Sequence, residues 1–206
     1  MIDLAMHMMD IAQNSLRAGA KQIDIDLTES SRDHTLLFRV SDNGSGMSRE
    51  TVEKLADPFF TTRTTRKAGL GIPFLKMTCE QADGRLTVSS EEGRGTVVEA
   101  LYRTDHPDCL PPGDMAGYLV LLLRANPEVR FRFASRIDDA EFVLDSDELK
   151  EQGINLLHPQ MPDAVRGYIR ENLKEIGRKR PPYGFPYRLA TQAPQTDNMQ
   201  QTTERY

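Results

Sequence analysis

Four short motifs occur in a fixed order, and that order constrains the fold more than any other feature of the chain. The first, residues 10–20, carries Asn14 on a predicted helix, and the second, residues 42–47, is an aspartate with two glycines at the end of a predicted strand. A Phe-Phe-Thr-Thr motif within residues 57–62 and a Gly-Leu-Gly motif at residues 69–71 follow. Because glycines let the backbone approach a ligand closely, we expect the four motifs to form one binding pocket.

The hydrophobic pattern of residues 1–104 predicts a single α+β domain. Helical spacing favours helices over residues 2–18, 51–56 and 70–82. Alternating apolar residues favour strands around residues 23–27, 36–40, 85–90 and 95–102. This order predicts a two-layer α/β sandwich, in which a mixed β-sheet carries its helices on one face.

The rest of the chain predicts a second, smaller region. Residues 105–113 contain three prolines and are expected to form a linker. Residues 114–180 predict a small α/β C-terminal extension, with helices over 114–125, 146–153 and 162–176 and strands over 129–133 and 141–144. Residues 181–206 are rich in Pro, Gln, Thr and Asn, which is typical of a disordered tail.

Composition and charge narrow the possible environments and partners. The net charge of −5 gives no general attraction to nucleic acid or to an anionic membrane, and the arginines of strand 129–133 fit a solvated strand face. The longest apolar run, residues 118–123, is too short to cross a bilayer, and no signal peptide is evident. Cys79 and Cys109 lack the spacing of metal ligands or of a disulfide framework. We therefore expect a cytoplasmic protein with reduced thiols and with neither a nucleic-acid nor a membrane partner.

The four motifs resemble those of the GHKL, or Bergerat-fold, ATPase superfamily. This superfamily includes DNA gyrase, chaperones of the ninety-kilodalton heat-shock class, histidine kinases and mismatch-repair ATPases, and the resemblance covers residues 1–103. The Asn-Ser-Leu-Arg-Ala-Gly-Ala sequence of residues 14–20 is similar to the mismatch-repair version of the first motif. The motifs in residues 57–62 and 69–72 look like those of histidine kinases.

The resemblance implies roles for three polar side chains in binding ATP and Mg²⁺. Asn14 would bind Mg²⁺ through its amide oxygen, which is a hard ligand of the kind that this cation prefers. Asp42 would accept a hydrogen bond from the adenine amine, and Thr96 would lie beside the same amine. Gly44 and Gly46 would leave room for the base.

The same resemblance implies a phosphate-binding lid over residues 59–70. Cations in the lid suit the triphosphate, and the glycines after it open a helix whose free N–H groups suit phosphate. The further residues assigned to nucleotide binding are Met47, Thr61, Thr62, Arg63, Lys67, Gly69, Leu70 and Gly71.

Asp10 and His7 bear on catalysis. Asp10 lies four residues before Asn14, where ATP-hydrolysing relatives carry a glutamate that acts as general base for water. The shorter aspartate would orient water or help to hold hydrated Mg²⁺. His7 is expected to be a packed helix residue rather than a phosphoacceptor, because the first motif begins too early to leave room for a dimerisation hairpin.

Three functions stay open at this stage. The first is a histidine-kinase-like ATP-binding domain in signalling or regulation, which acts on an unidentified protein partner that carries the phosphoacceptor. The second is a serine kinase of the anti-sigma type. The third is an ATP-driven conformational switch of the mismatch-repair type, for which the region after residue 113 looks short. The oligomeric state is left open.

Overall fold

One six-stranded mixed β-sheet organises the part of the chain that the computed structural model describes, residues 2–55 and 71–178. Its strands are β1 (Gln22–Ser30), β2 (Thr35–Asp42), β3 (Arg85–Glu91), β4 (Gly95–Arg103), β5 (Arg130–Ile137) and β6 (Ala140–Asp145). The strand order is β3-β4-β2-β1-β5-β6. All neighbouring pairs are antiparallel except β1 and β5, which run parallel.

Helices cover one face of this sheet. They are α1 (Leu4–Arg17), α2 (Arg49–Lys54), α3 (Gly71–Gln81), α4 (Met115–Ala125), α5 (Ser146–Glu151) and α6 (Met161–Gly177). Helix α1 contacts both α3 and α4, and α4 contacts α6, so these four helices form a continuous layer. The arrangement confirms the predicted α+β fold with a mixed sheet.

Helix α1 lies over the centre of the sheet because one of its stripes is apolar. Leu4, Met8 and Ile11 are buried, whereas Ile2 and Met6 are 40% and 41% exposed. The Asp3 side chain caps the helix by accepting a hydrogen bond from the Met6 backbone N–H at 2.9 Å. A cap of this kind satisfies one of the donors that the first turn leaves free.

Strand β1 shows why the sheet has one buried and one polar face. Its apolar residues face the helices, and its alternate residues face outward. On the outer face the Asp26 carboxylate accepts hydrogen bonds from Arg39 at 3.1 Å, Arg132 at 3.3 Å and Arg136 at 3.4 Å. Arg132 and Arg136 of β5 are therefore paired with a carboxylate of the neighbouring strand β1.

The strands after residue 113 extend the same sheet. Strand β5 pairs with β1 along its whole length, and residues from both sides of the linker enter one buried cluster. The linker also runs along the start of α1, where the Leu4 and Ala5 backbone N–H groups donate to the carbonyls of Pro111 and Pro112, each at 3.0 Å. The predicted tail, residues 181–206, lies outside the described residues.

The shared core predicts that Phe133 on β5 stabilises the whole chain. Its side chain is 1% exposed, and its ring centroid lies 6.4 Å from that of Phe142. We expect Phe133→Ala to lower the free energy of unfolding by about 3–5 kcal/mol. Urea denaturation should show one transition, shared by probes in β2 and in β5. The control, Val143→Ala at a side chain that is 36% exposed, should cost much less. A separate early transition that leaves β2 folded would contradict a common core.

Candidate functional site

A cleft lies at one end of the sheet, between the second half of α1, the loop after β2 and the start of β4. Its volume is about 460 Å³, which is in the range of small-molecule sites. The lining residues are Ile11, Asn14, Ser15, Arg17, Ala18, Asp42, Ser45, Gly46, Met47, Ser48, Thr51, Leu55, Ile72, Glu92, Thr96 and Val98. The structure therefore brings together Asn14, Asp42, Gly46, Met47 and Thr96 from the predicted site.

Asp42 is the last residue of β2, and each oxygen of its carboxylate accepts a hydrogen bond from the protein. The Ser15 hydroxyl donates to Oδ2 at 2.6 Å, and the Gly44 backbone N–H donates to Oδ1 at 2.9 Å. Its cross-strand neighbour on β4 is Thr96. Because an ionised carboxylate only accepts hydrogen bonds, this end of the cleft offers a fixed acceptor to a ligand.

Close packing within the protein itself requires the two glycines of the second motif. Gly46 has a φ of +66°, and a Cβ there would lie 1.9 Å from the Glu91 carbonyl oxygen. A Cβ on Gly44 would lie 2.8 Å from the Ala18 Cβ. In the structure, the protein itself excludes side chains at both positions, so their absence does not depend on a bound base.

Hydrogen bonds on both sides hold the loop that carries these glycines. The Asn43 side-chain oxygen accepts from the backbone N–H groups of Lys21 at 2.8 Å and Gln22 at 2.9 Å. The Ser45 N–H donates to the Ala18 carbonyl at 2.8 Å, and the Ser45 carbonyl accepts from Gly93 at 2.7 Å. The cleft wall is therefore preformed by backbone hydrogen bonds.

Asn14 projects from α1 into the same cleft. Its amide oxygen accepts a hydrogen bond from the Arg17 guanidinium at 3.1 Å, and Arg17 itself is exposed. Arg17 also contacts the side chain of Gln13, at 3.4 Å. A cation that takes the Asn14 oxygen as a ligand requires Arg17 to turn away, which an exposed side chain can do at little cost.

Asp10 lies outside the cleft lining, at the point where α3 begins. Its side chain is exposed, and a Cβ on Gly71 would lie 3.2 Å from the Asp10 Cβ. Gly71 thus allows the first residue of α3 to pass close to α1. The structure places the side chain of Asp10 one helical turn before Asn14 and beside Gly71 at the start of α3.

Sequence reasoning missed two serines that shape the site. Ser15 contacts Asp42, and Ser90 on β3 contacts Thr96 at 2.9 Å. Each is a polar residue at a position where the hydrophobic pattern places an apolar one: Ser15 follows Ile11 on the buried stripe of α1, and Ser90 follows Val88 on β3. That interruption is the signal that could have identified both.

The remaining predicted site residues lie outside the described part of the chain. They are Thr61, Thr62, Arg63, Lys67, Gly69 and Leu70. Within residues 2–55 and 71–178, no group of three or more His, Cys, Asp or Glu side chains is arranged to hold a metal ion. Over the same residues, every helix is too short or too polar to cross a bilayer.

The fold and the cleft define a class of α+β protein with a preformed acceptor site between a helix and the end of a sheet. The model of the histidine kinase-, DNA gyrase B- and HSP90-like ATPase family matches residues 2–105. The chain belongs to this family, which confirms the resemblance inferred from its motifs, and it contains a kinase-like ATPase domain.

Several bacterial kinases are similar to this chain over the same region. Sporulation kinase C of Bacillus subtilis (strain 168) is 27% identical over 93 residues, which are 45% of this chain and 22% of that protein. Sensor protein CiaH of Streptococcus pneumoniae serotype 4 is 32% identical over 99 residues, which are 46% of this chain and 22% of that protein. A solved N-terminal domain of a DNA repair protein aligns with a TM-score of 0.47 and 16% identity, over 69% of this chain and 52% of that one. The chain spans less than a quarter of the length of each of these two relatives, 22% in both cases.

A buried hydrogen-bond network joins α1, α3 and β4. The Thr78 hydroxyl lies 3.2 Å from His7 Nε2 and 3.1 Å from the Tyr102 hydroxyl. His7 is 3% exposed, and this burial lowers its pKa, although the charges of Asp10 and Asp3 oppose the shift. His7 is therefore a packed helix residue, as expected, and its imidazole is neutral at pH 7.

The lowered pKa of His7 predicts a pH dependence of stability. Below pH about 6.5 the unfolded state binds a proton at His7 that the native state does not, so the free energy of unfolding should fall as the pH drops. His7→Gln removes this contribution, and its stability should change less between pH 7.5 and 5.5 than that of the wild type. Urea denaturation at both pH values measures the difference. The control, His158→Gln at an exposed position, should behave like the wild type, and an unchanged slope in His7→Gln would contradict the burial of a neutral imidazole.

Proposed function

We propose that the cleft binds ATP with Mg²⁺, and that the chain acts as a kinase-type catalytic domain on a partner protein. The observation that carries the proposal is the Asp42 carboxylate, held by Ser15 and Gly44 at the end of a preformed cleft. Membership of the ATPase family supports ATP as the ligand.

The chemistry of Asp42 fits the adenine base. Adenine carries an exocyclic amine with two N–H donors, whereas guanine carries a carbonyl at the same position. A carboxylate that only accepts hydrogen bonds attracts the amine and repels the carbonyl. The Ser15 and Gly44 contacts hold the carboxylate before the nucleotide arrives, so little ordering is left for the binding step.

Asn14 is the residue that we assign to Mg²⁺. Mg²⁺ prefers oxygen ligands and commonly keeps phosphate oxygens and water, so one amide oxygen suffices as the protein ligand. When bound, the ion supplies positive charge that offsets the charge of the phosphates. The Arg17 guanidinium then leaves the Asn14 oxygen and becomes available to the same phosphates.

The names of the similar proteins support a role in signalling. They are a sporulation kinase and a sensor protein, which suggests that the γ-phosphate of ATP passes to a side chain of another protein. An anti-sigma-type serine kinase is the related alternative. Incubation with γ-labelled ATP and fractionated cell protein tests transfer, since the label should appear on a second protein in the presence of the wild-type chain.

Asp10 supports a second candidate, ATP hydrolysis that drives a conformational switch. Its exposed carboxylate lies one turn before Asn14 and beside Gly71 at the start of α3. In that role it accepts the proton of a water whose oxygen bonds to the γ-phosphorus while the bond to the β-phosphate oxygen breaks. Release of inorganic phosphate by the chain alone, lost in Asp10→Asn, favours this candidate over transfer.

The proposal predicts that Asp42→Ala weakens ATP binding by at least about tenfold. Loss of a hydrogen bond to a charged group costs about 1.5–3 kcal/mol, and about 1.4 kcal/mol is tenfold in affinity. Calorimetric titration with ATP and Mg²⁺ measures the change. Asp139→Asn, at an exposed turn between β5 and β6, serves as the control and should bind like the wild type. If the wild-type protein binds GTP as tightly as ATP, the assignment of Asp42 to the adenine amine is wrong.

Asn14→Ala is expected to abolish the Mg²⁺-dependent part of ATP affinity and leave the fold intact. The matched control is Gln13→Ala, because Gln13 also accepts from Arg17 but does not line the cleft. Titration with ATP in Mg²⁺ and in excess chelator separates the two contributions. If Asn14→Ala gains as much affinity from Mg²⁺ as Gln13→Ala does, the ion is held elsewhere.

A further inference from the structure

We propose that Ser90 is a positioning residue that determines base specificity. Its hydroxyl orients the Thr96 hydroxyl so that the Thr96 oxygen is a hydrogen-bond acceptor toward the cleft. The site thereby distinguishes a 6-amino purine from a 6-oxo purine. The inference rests on the proposed function, because it concerns the base of the nucleotide. Ser90 does not line the cleft, and it acts through Thr96.

Three residues form a row across neighbouring strands. Asp42 on β2 is the cross-strand partner of Thr96 on β4, and Thr96 is in turn the partner of Ser90 on β3. Directly opposed residues place their side chains on the same face of a sheet, within contact of each other. The row therefore runs from the cleft to the edge strand.

The hydrogen bonds of Ser90 leave one possible direction for its bond to Thr96. The Ser90 hydroxyl oxygen lies 2.8 Å from the Gly95 carbonyl, and a carbonyl cannot donate, so Ser90 gives its single proton there. The Met47 backbone N–H donates to the same oxygen at 2.9 Å. The remaining contact, 2.9 Å to the Thr96 hydroxyl, must then use the Thr96 proton.

The direction of that bond sets the chemistry of the cleft. With its proton given to Ser90, the Thr96 oxygen has only lone pairs to offer a ligand. Its neighbour Asp42 also only accepts, because Ser15 and Gly44 donate to it. The two adjacent acceptors match the two N–H donors of one amine. Both of them repel the carbonyl oxygen of a 6-oxo purine.

Ser90 also connects this row to the glycine loop. Its oxygen holds the N–H of Met47, which lines the cleft one residue after Gly46. Substitution of Ser90 thus has two separable effects. Loss of the Met47 contact alters binding of every purine equally, whereas release of the Thr96 hydroxyl alters the discrimination between purines.

The test is the ratio of the affinities for ATP and ITP, measured by calorimetry with Mg²⁺ in the full chain. ITP differs from ATP in carrying a 6-oxo group, to which a released Thr96 hydroxyl can donate. In Ser90→Ala we expect the ratio of ATP to ITP affinity to fall about threefold to tenfold, the range of one neutral hydrogen bond. Ser90→Thr, which keeps the hydroxyl, should restore the wild-type ratio. Ser89→Ala, the adjacent serine on the exposed side of β3, is the matched control and should leave the ratio unchanged.

A double-mutant cycle with Thr96→Val identifies the route of the effect. If Ser90 acts through Thr96, then Ser90→Ala should not change the ratio further in the Thr96→Val background. An equal loss of affinity for ATP and ITP in Ser90→Ala, or an additive effect in the double variant, would overturn the inference. Wild-type protein that binds neither nucleotide would instead refute the proposed function, which keeps the two failures distinct. Near-ultraviolet circular dichroism of each variant checks the fold. If Ser90→Ala is unfolded, Thr96→Val alone tests the acceptor. The ratio of ATP to ITP affinity must then fall in Thr96→Val, and an unchanged ratio overturns the inference.

Discussion

The hydrogen bond from the Ser15 hydroxyl to the Asp42 carboxylate, at 2.6 Å, is the interaction on which the site depends. It joins the helix that carries Asn14 to the strand that carries Asp42. The residues proposed to bind the phosphate end and the base end of the nucleotide therefore belong to one rigid unit. A hydrogen bond to a charged group is shorter and stronger than a neutral one, and it resists displacement by water. The orientation of Asp42 is therefore a property of the folded chain before any ligand is present.

Polar groups at the end of a sheet are tolerated here because almost all of them have partners. Asn43 satisfies the backbone donors of Lys21 and Gln22, where β1 begins, and Ser90 uses its proton and both lone pairs. A half-satisfied network would cost free energy, since each lost partner leaves a desolvated polar atom. These bonds make the cleft rigid, and the proposed selectivity of the two acceptors depends on that rigidity.

Periodicity predicted most of the helices and strands correctly, because most elements bury one face against a common core. The parallel pairing of β5 with β1 could not be predicted, since pairing between distant segments leaves no local pattern. The contacts that exclude side chains at Gly46 and Gly44, with Glu91 and Ala18, could not be predicted, because only the packed hairpin and helix bring those residues near. Thus the sequence predicted five of the residues that line the cleft, and the contacts that orient them required the structure.

The proposed function depends on a hydrogen bond between Asp42 and the exocyclic amine of adenine. A crystal structure of the chain with Mg²⁺ and a non-hydrolysable ATP analogue measures it most directly. We predict that the amine nitrogen lies within about 2.7–3.2 Å of an Asp42 carboxylate oxygen, with Thr96 beside it. A base whose amine faces solvent, or a nucleotide bound outside the cleft between α1 and β4, would contradict the account.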